Sequence, residues 1–228
     1  MTMIIDNHVH IGKSLFGHKL SPDELLVSMK ALGIDGAIVM PFKPPGYHFE
    51  PENDYISKVV SENPACFTGF GRVDPWQGEK ALREVERIFD VLKLQGLFIH
   101  PLEELFSLTS PVLIPILDLV DKIKKPVMIS GGHVRVSHPA QFEYIARRYP
   151  SVTFIATSGG QINISGSLMQ EAEQMLRACP NVILETSGIY RRDFIENMTA
   201  VLGAERVIFG SGAPYYCLLY TSPSPRDS

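Results

Sequence analysis

The feature that most constrains the fold of this 228-residue chain is a regular alternation of short apolar runs and amphipathic stretches. The apolar runs are rich in Val, Ile and Phe, and they are nearly continuous, which is typical of parallel strands buried on both faces. We therefore predict eight strands. They cover residues 3–9, 36–40, 67–73, 96–99, 126–129, 152–156, 182–184 and 206–209.

Seven helices are predicted between these strands. The first has the clearest start, because Ser21 suits the N-cap, Pro22 the first helical position and Glu24 the capping-box position. Gly33 suits the end of this helix. The other six cover residues 52–62, 79–92, 111–123, 139–149, 167–179 and 191–202.

This alternation predicts right-handed β/α units and an α/β fold. Eight strands favour a closed (β/α)₈ TIM barrel, which typically takes about 250 residues. Since no eighth helix follows the last strand, we expect a barrel that is truncated before its last helix. The rival architecture, an open doubly wound sheet, normally has a Gly-rich phosphate turn after its first strand. Residues 5–12 contain no such turn, so we predict one barrel domain over residues 1–216.

The last residues differ in character from the rest of the chain. Residues 217–227 resemble a translated sequencing adapter, and such segments are excluded from fold reasoning. The alternative is a native Ser/Pro-rich disordered tail. We expect residues 217–228 to be non-native and the native sequence to be cut near Tyr216.

Composition excludes several classes of protein. A formal net charge of −4 offers no basic excess for nucleic acid, so no nucleic-acid partner is predicted. No apolar run reaches the roughly 20 residues of a membrane span, and the N-terminus has no signal-peptide pattern. Three widely spaced cysteines form no disulfide framework. We therefore predict a cytoplasmic protein without a membrane partner.

Two histidines at the end of the first strand are the main candidate site residues. Asp6, His8 and His10 form an Asp-x-His-x-His motif, and side chains at i and i+2 of a strand point to the same side. In a barrel, functional side chains follow the carboxyl ends of the strands. His8 and His10 are therefore predicted to hold one divalent metal ion. The alternative is a hydrogen-bonded histidine pair without metal.

Segments along the whole chain carry a resemblance to a known family. They are residues 6–10, 33–36, 69–75, 96–101, 181–187 and 209–211. On these segments the chain resembles the amidohydrolase superfamily, specifically its amidohydrolase-related (amidohydrolase family 2) hydrolases and metal-dependent decarboxylases. The resemblance implies a hydrolase with a small polar organic substrate and one divalent metal, with zinc the expected ion. Its nucleophile would be a metal-bound water whose pKa is lowered toward about 7.

The chain departs from this family's pattern at several positions. The resemblance implies histidines where Ser130 and Thr157 stand, an aspartate where Gly212 stands, and in some members a lysine where Phe98 stands. Because a catalytic zinc site normally has three protein ligands, His8 and His10 alone do not complete one.

Three other residues could compensate for these departures. His133 and Glu185 are candidate substitute ligands, and His100 is a candidate pocket residue. Two further functions stay open, a carboxy-lyase and a metal-free binding protein or pseudoenzyme. The expected partners are a small-molecule substrate and a second copy of the chain in a homo-oligomer.

Overall fold

A curled sheet of nine strands forms the centre of the molecule in a computed structural model that describes residues 3–46, 48–161 and 168–216. The strand order is β2-β1-β3-β4-β5-β6-β7-β8-β9. All neighbouring pairs are parallel except β1 and β2, which form an antiparallel pair. The strands are β1 (Ile5–Lys13), β2 (Lys19–Leu20), β3 (Gly36–Pro41), β4 (Phe67–Arg72), β5 (Gly96–Ile99), β6 (Val127–Ile129), β7 (Phe154–Ala156), β8 (Val182–Glu185) and β9 (Val207–Ile208).

The seven predicted helices are all present among the described residues. They are α1 (Pro22–Leu32), α2 (Glu50–Glu62), α3 (Glu79–Asp90), α4 (Ile114–Ile123), α5 (Pro139–Arg148), α6 (Met169–Ala178) and α7 (Arg192–Leu202). Helix α1 begins and ends as predicted, because Ser21 and Glu24 form a reciprocal capping box and Gly33 adopts the left-handed conformation at the C-cap.

Backbone hydrogen bonds close the sheet into a barrel. The Asn7 amide donates to the Phe209 carbonyl at 2.9 Å, and the His10 amide donates to the Ala213 carbonyl at 2.8 Å. The residues that follow β9 therefore lie beside β1. This arrangement confirms the predicted (β/α)₈ class and brings the first and last strands together.

The core has two layers. The smaller layer fills the barrel interior, and each strand from β3 to β9 contributes to it. Its members are Ile38, Met40, Phe70, Phe98, Met128, Ile155, Ile183 and Ile208. The larger layer lies between the outer face of the sheet and the helices. Gly71 lies in β4 where that outer face meets α3, and a Cβ atom there would come 2.6 Å from the Cδ1 atom of Ile88.

The structure differs from the sequence prediction in a few elements. The two-residue strand β2 was not predicted, since two residues are too short to show a periodicity. Strand β1 extends to Lys13, and β9 is shorter than the predicted run. In the described part of the chain no helix follows β9, and no helix is long and apolar enough to cross a membrane. The predicted tail, residues 217–228, and residue 167 of the predicted sixth helix lie outside the described residues.

Candidate functional site

A cavity of about 390 Å³ opens at the carboxyl ends of the barrel strands. The described residues that line it include four histidines, which are His8, His10, His100 and His133. The predicted candidate Glu185 does not line the cavity, because its side chain is fully buried behind His8. Four of the five candidate residues thus line one cavity at the end of the barrel, and the fifth, Glu185, lies buried behind them.

The two histidines of β1 meet through their outer ring nitrogens. The Nε2 atoms of His8 and His10 lie 3.2 Å apart, and the two residues are 7% and 1% exposed. Their ring centroids are 5.2 Å apart at an interplanar angle of 60°. The same-side placement predicted from their spacing is therefore present at the mouth.

A buried carboxylate orients His8. The Nδ1 atom of His8 lies 3.2 Å from Glu185 Oε2 and 3.2 Å from the hydroxyl of Ser187. That hydroxyl itself donates to Glu185 Oε2 at 2.7 Å, so its proton is directed at the carboxylate. The Ser158 amide also donates to the same carboxylate oxygen at 3.4 Å. These contacts favour the His8 tautomer with a proton on Nδ1.

A backbone carbonyl orients His10. The Nδ1 atom of His10 lies 3.2 Å from the carbonyl oxygen of Pro41, which can only accept a hydrogen bond. The ring packs against Phe42, Phe98 and Tyr215, with centroid distances of 5.0 to 5.3 Å. Burial lowers the pKa of His10 well below its usual value, so the ring is neutral at pH 7.

These anchors have a consequence for the outer nitrogens. If both rings carry their proton on Nδ1, both Nε2 lone pairs are directed into the same small volume, where they repel unless a cation lies between them. Two nitrogen ligands that bind one tetrahedral ion at about 2.0–2.1 Å stand roughly 3.3 Å apart. The observed 3.2 Å between His8 Nε2 and His10 Nε2 fits this requirement.

The described residues do not complete a protein-only metal site. No group of three His, Cys, Asp or Glu side chains among them is arranged to hold an ion. Ser130, Thr157 and Gly212 line the cavity and present no imidazole or carboxylate, as their identities require. Phe98 packs edge-on to His10 where a bridging lysine would stand. The histidine pair thus fits a divalent ion as two of its ligands, and the other ligands would be oxygens of water or of a bound molecule.

His100 and His133 line the same cavity as the β1 pair. The Nδ1 atom of His100 accepts a hydrogen bond from the Glu103 amide at 3.2 Å, which places the ring proton on Nε2. Burial, and then the charge of Arg72, lower the pKa of His100 well below its usual value. His133 is half-buried, and burial also lowers its pKa. Both rings are therefore neutral at pH 7.

Sequence reasoning missed an ionic network beside the cavity. Arg72, at the end of β4, is fully buried, and its Nη2 atom donates to Glu104 Oε1 at 2.8 Å and to a carboxylate oxygen of Glu103. The hydroxyl of Tyr215 also donates to Glu103, at 3.2 Å. Arginine in an otherwise apolar strand signals a buried charge that needs partners. The partners follow β5, and no spacing rule connects them to β4.

Asp6, the first residue of the Asp-x-His-x-His motif, has a structural role. Its Oδ1 atom accepts hydrogen bonds from the Ser211 amide at 2.8 Å and the His8 amide at 3.2 Å. Its Oδ2 atom is buried without a hydrogen-bond partner among the described residues, and burial raises the pKa of this carboxyl group. Asp6 thereby fixes β1 to the residues after β9, which is where the barrel closes.

The fold and the cavity together define a (β/α)₈-barrel protein with a histidine-rich site at the carboxyl ends of its strands. The chain belongs to the amidohydrolase family, whose match covers residues 5–218. This membership confirms the resemblance noted from the sequence segments. A comparison with curated protein sequences gave no match.

Solved structures of similar fold include two decarboxylases and a hydratase. The 5-carboxyvanillate decarboxylase of Sphingomonas paucimobilis is 17% identical, with a TM-score of 0.70 over 99% of this chain and 94% of that chain. A dihydroxybenzoic acid decarboxylase of Polaromonas sp. JS666, with bound manganese and the inhibitor 2-nitroresorcinol, is 15% identical, with a TM-score of 0.73 over 100% and 93%. The 4-oxalomesaconate hydratase of Rhodopseudomonas palustris is 19% identical, with a TM-score of 0.68 over 99% and 85%. At identities of 15% to 19%, these TM-scores establish a likeness of fold alone.

Proposed function

We propose that this chain is a metal-dependent carboxy-lyase that acts on a small aromatic carboxylate. One observation carries the proposal: the Nε2 atoms of His8 and His10 lie 3.2 Å apart while their Nδ1 atoms are held by Glu185 and by the Pro41 carbonyl. The two imidazoles, each held at Nδ1, thus leave one lone pair on each Nε2 atom. Both lone pairs face one point, where a divalent cation relieves their repulsion.

The lining of the cavity favours carboxylate chemistry over hydrolysis. No aspartate or glutamate is among the described residues that line it. A hydrolase needs a base to take a proton from its attacking water, whereas a carboxy-lyase needs a cation for the substrate carboxylate and a proton for the carbon that loses carbon dioxide. A cavity without competing carboxylates suits an anionic substrate. The hydrolase predicted from the sequence is therefore the weaker proposal.

The fold comparisons support the same choice. Two of the similar structures are decarboxylases of hydroxylated benzoates, and one of them contains manganese. The predicted ion was zinc. Imidazole nitrogens bind zinc and other first-row divalent ions, while oxygen ligands suit manganese. Because water or substrate oxygens would complete this site, manganese is the first ion to test.

Each of the four histidines that line the cavity then has a task. His8 and His10 would hold the ion, which supplies Lewis acidity toward a substrate oxygen. The Nε2–H group of His100 would donate a hydrogen bond to the substrate. His133 would carry the proton to carbon, since it lines both this cavity and an open outer groove from which its ring can be reprotonated. The nearby negative charge of a substrate carboxylate would raise the depressed pKa of His133 toward the working pH.

The test is metal content together with carbon dioxide release. The protein is stripped with a chelator, reloaded with manganese or zinc, and assayed on a panel of 2-hydroxybenzoates. We expect about one ion per chain and measurable turnover, with both lost in His10→Ala. The matched control is His138→Asn, which lies outside the cavity lining and keeps an N-cap side chain for α5. Turnover of amide or ester substrates instead of carboxylates would support the hydrolase and overturn the carboxy-lyase.

A metal-free binding protein is the second candidate, and the lack of a third ligand among the described residues favours it. In that form His8 would carry protons on both nitrogens, donating from Nδ1 to Glu185 and from Nε2 to His10. The proton on His8 Nε2 would then take the place of a metal ion between the two rings. A chain that stays metal-free after reloading, yet binds a carboxylate in a His10-dependent way, would identify this form.

A further inference from the structure

A second, open groove adjoins the histidine cavity. It has a volume of about 550 Å³, and it shares His100 and His133 with the cavity. The rest of its wall is largely apolar and comes from two loops. Leu15 and Phe16 lie between β1 and β2, and Leu102 and Leu105 follow β5. The groove is therefore continuous with the candidate site and differs from it in chemistry.

The apolar wall is exposed to solvent. Phe16 is 59% exposed, Leu102 42% and Leu105 76%. Single exposed apolar side chains are common on protein surfaces, but a contiguous group at the rim of a cavity marks a binding surface. These side chains come from separate loops, so their contiguity arises only in the folded chain.

The backbone at Leu105 supplies a second observation. This residue has a φ of +56°, in the left-handed region, where a residue with a Cβ atom is sterically disfavoured. Glycine or asparagine would adopt the same backbone more easily. Since the Leu105 side chain is 76% exposed, packing within the chain does not account for a large apolar residue there.

Two charged residues line the groove, Lys43 and Glu103, and each is paired, the Glu103 carboxylate with the buried Arg72. Lys43 lies 3.5 Å from Glu104 Oε1 and also contacts the Glu103 carbonyl oxygen. Lys43 is only 8% exposed. The charged side chains that line the groove thus already have partners. The apolar side chains of its wall are suited to bind a hydrocarbon group.

We propose that this groove is a subsite for the apolar part of the substrate, so that the substrate class is an amphiphilic carboxylate with an aryl or alkyl extension. The inference rests on the proposed function, because the carboxylate end is assigned to the histidine cavity. That cavity, at about 390 Å³, holds a single substituted ring, and the groove adds space for an extension. Continuity through His100 and His133 lets one molecule occupy both.

The test is the affinity of a homologous series of 4-alkylbenzoates, from methyl to hexyl, for the manganese-loaded full chain by calorimetry. Each methylene that enters the groove should tighten binding about fourfold. Leu105→Asn removes the apolar side chain and suits the left-handed backbone, so it should fold. We expect it to weaken the hexyl compound about tenfold and to leave the methyl compound unchanged. Leu105→Met should restore the gain, and Val27→Gln, at a site that is 71% exposed on α1, is the matched control.

The outcomes separate this inference from the proposed function. Equal affinity along the series, or no binding of any member, overturns the subsite. If the wild type sediments as a dimer and Leu105→Asn as a monomer, with the series unaffected, this also overturns the subsite and assigns the wall to a second copy of the chain. Chain-length dependence in a protein that takes up no metal on reloading and releases no carbon dioxide from 2-hydroxybenzoates overturns the carboxy-lyase and supports the subsite.

Discussion

Glu185 lies behind His8, with its Oε2 atom 3.2 Å from the Nδ1 atom of that ring, although β8 and β1 are far apart in sequence. The carboxylate is fully buried and receives the Ser187 hydroxyl as well. Its position makes it a partner of the ring, not a part of the cavity wall. From the sequence, Glu185 is a candidate substitute ligand. In the structure the His8 imidazole stands between this carboxylate and the mouth.

Replacing Glu185 by glutamine tests this partnership. The amide keeps the size of the side chain and loses the charge, so the Nδ1 proton of His8 is held less firmly. We expect metal affinity to fall about 10- to 100-fold, as for other carboxylates that orient metal-binding histidines. Manganese titration of the stripped variant measures this. Glu196→Gln, on the exposed side of α7, should bind as the wild type does, and equal affinity for both variants would contradict the assignment.

The second prediction concerns the buried charge of Arg72. Removal of this guanidinium leaves Glu103 and Glu104 close together with no arginine between them, and Glu104 is only 4% exposed. Breaking a buried ion pair in this way costs about 3–5 kcal/mol. We expect Arg72→Gln to lower the free energy of unfolding by that amount in urea titration. Arg83→Gln, at an exposed position of α3, should stay within about 0.5 kcal/mol of wild type.

The third prediction is an acid-dependent loss of stability. Burial lowers the pKa of His100 well below the 6.5 of a free imidazole. Below pH 6.5 the unfolded chain therefore binds a proton at this ring that the folded chain does not, and the free energy of unfolding falls as the pH falls. The loss ends only below the depressed pKa of the folded state. Urea titrations at several pH values between 5 and 7.5 should show a shallower fall for His100→Gln, and parallel profiles for wild type and variant would contradict the prediction.

The fourth prediction tests the contact between the barrel and α3. A Cβ atom at Gly71 would come 2.6 to 2.9 Å from three side-chain atoms of Ile88, which is fully buried. Overpacking of this kind typically costs about 1–3 kcal/mol. We expect Gly71→Ala to destabilise the protein by this amount in thermal or urea unfolding. Gly46→Ala is the control, because a Cβ atom there meets nothing within 4 Å.

The fold was largely predictable from the sequence, and the site was predictable in part. Buried parallel strands and capped helices leave local patterns, which is why β1 and α1 were found and why His8 and His10 were placed on one side. The partners of the two histidines, Glu185 at the end of β8 and Pro41 at the end of β3, come from other strands and leave no such pattern. The contact of His8 with Glu185 follows from the closure of the barrel, whereas that of Arg72 with Glu103 joins the ends of the neighbouring strands β4 and β5. No local periodicity encodes either contact.

The closure of the barrel also sets an order of events during synthesis of the chain. His8 leaves the ribosome 177 residues before Glu185, and Asn7 bonds to a carbonyl 202 residues later. Contacts of such long range form late in folding, after the loops between them have been ordered. In a nascent chain His8 therefore stays unoriented long after β3 has supplied the Pro41 carbonyl that orients His10. A chain that ends before β8 lacks the carboxylate that orients His8, and it therefore cannot hold the histidine pair in the geometry of the full barrel.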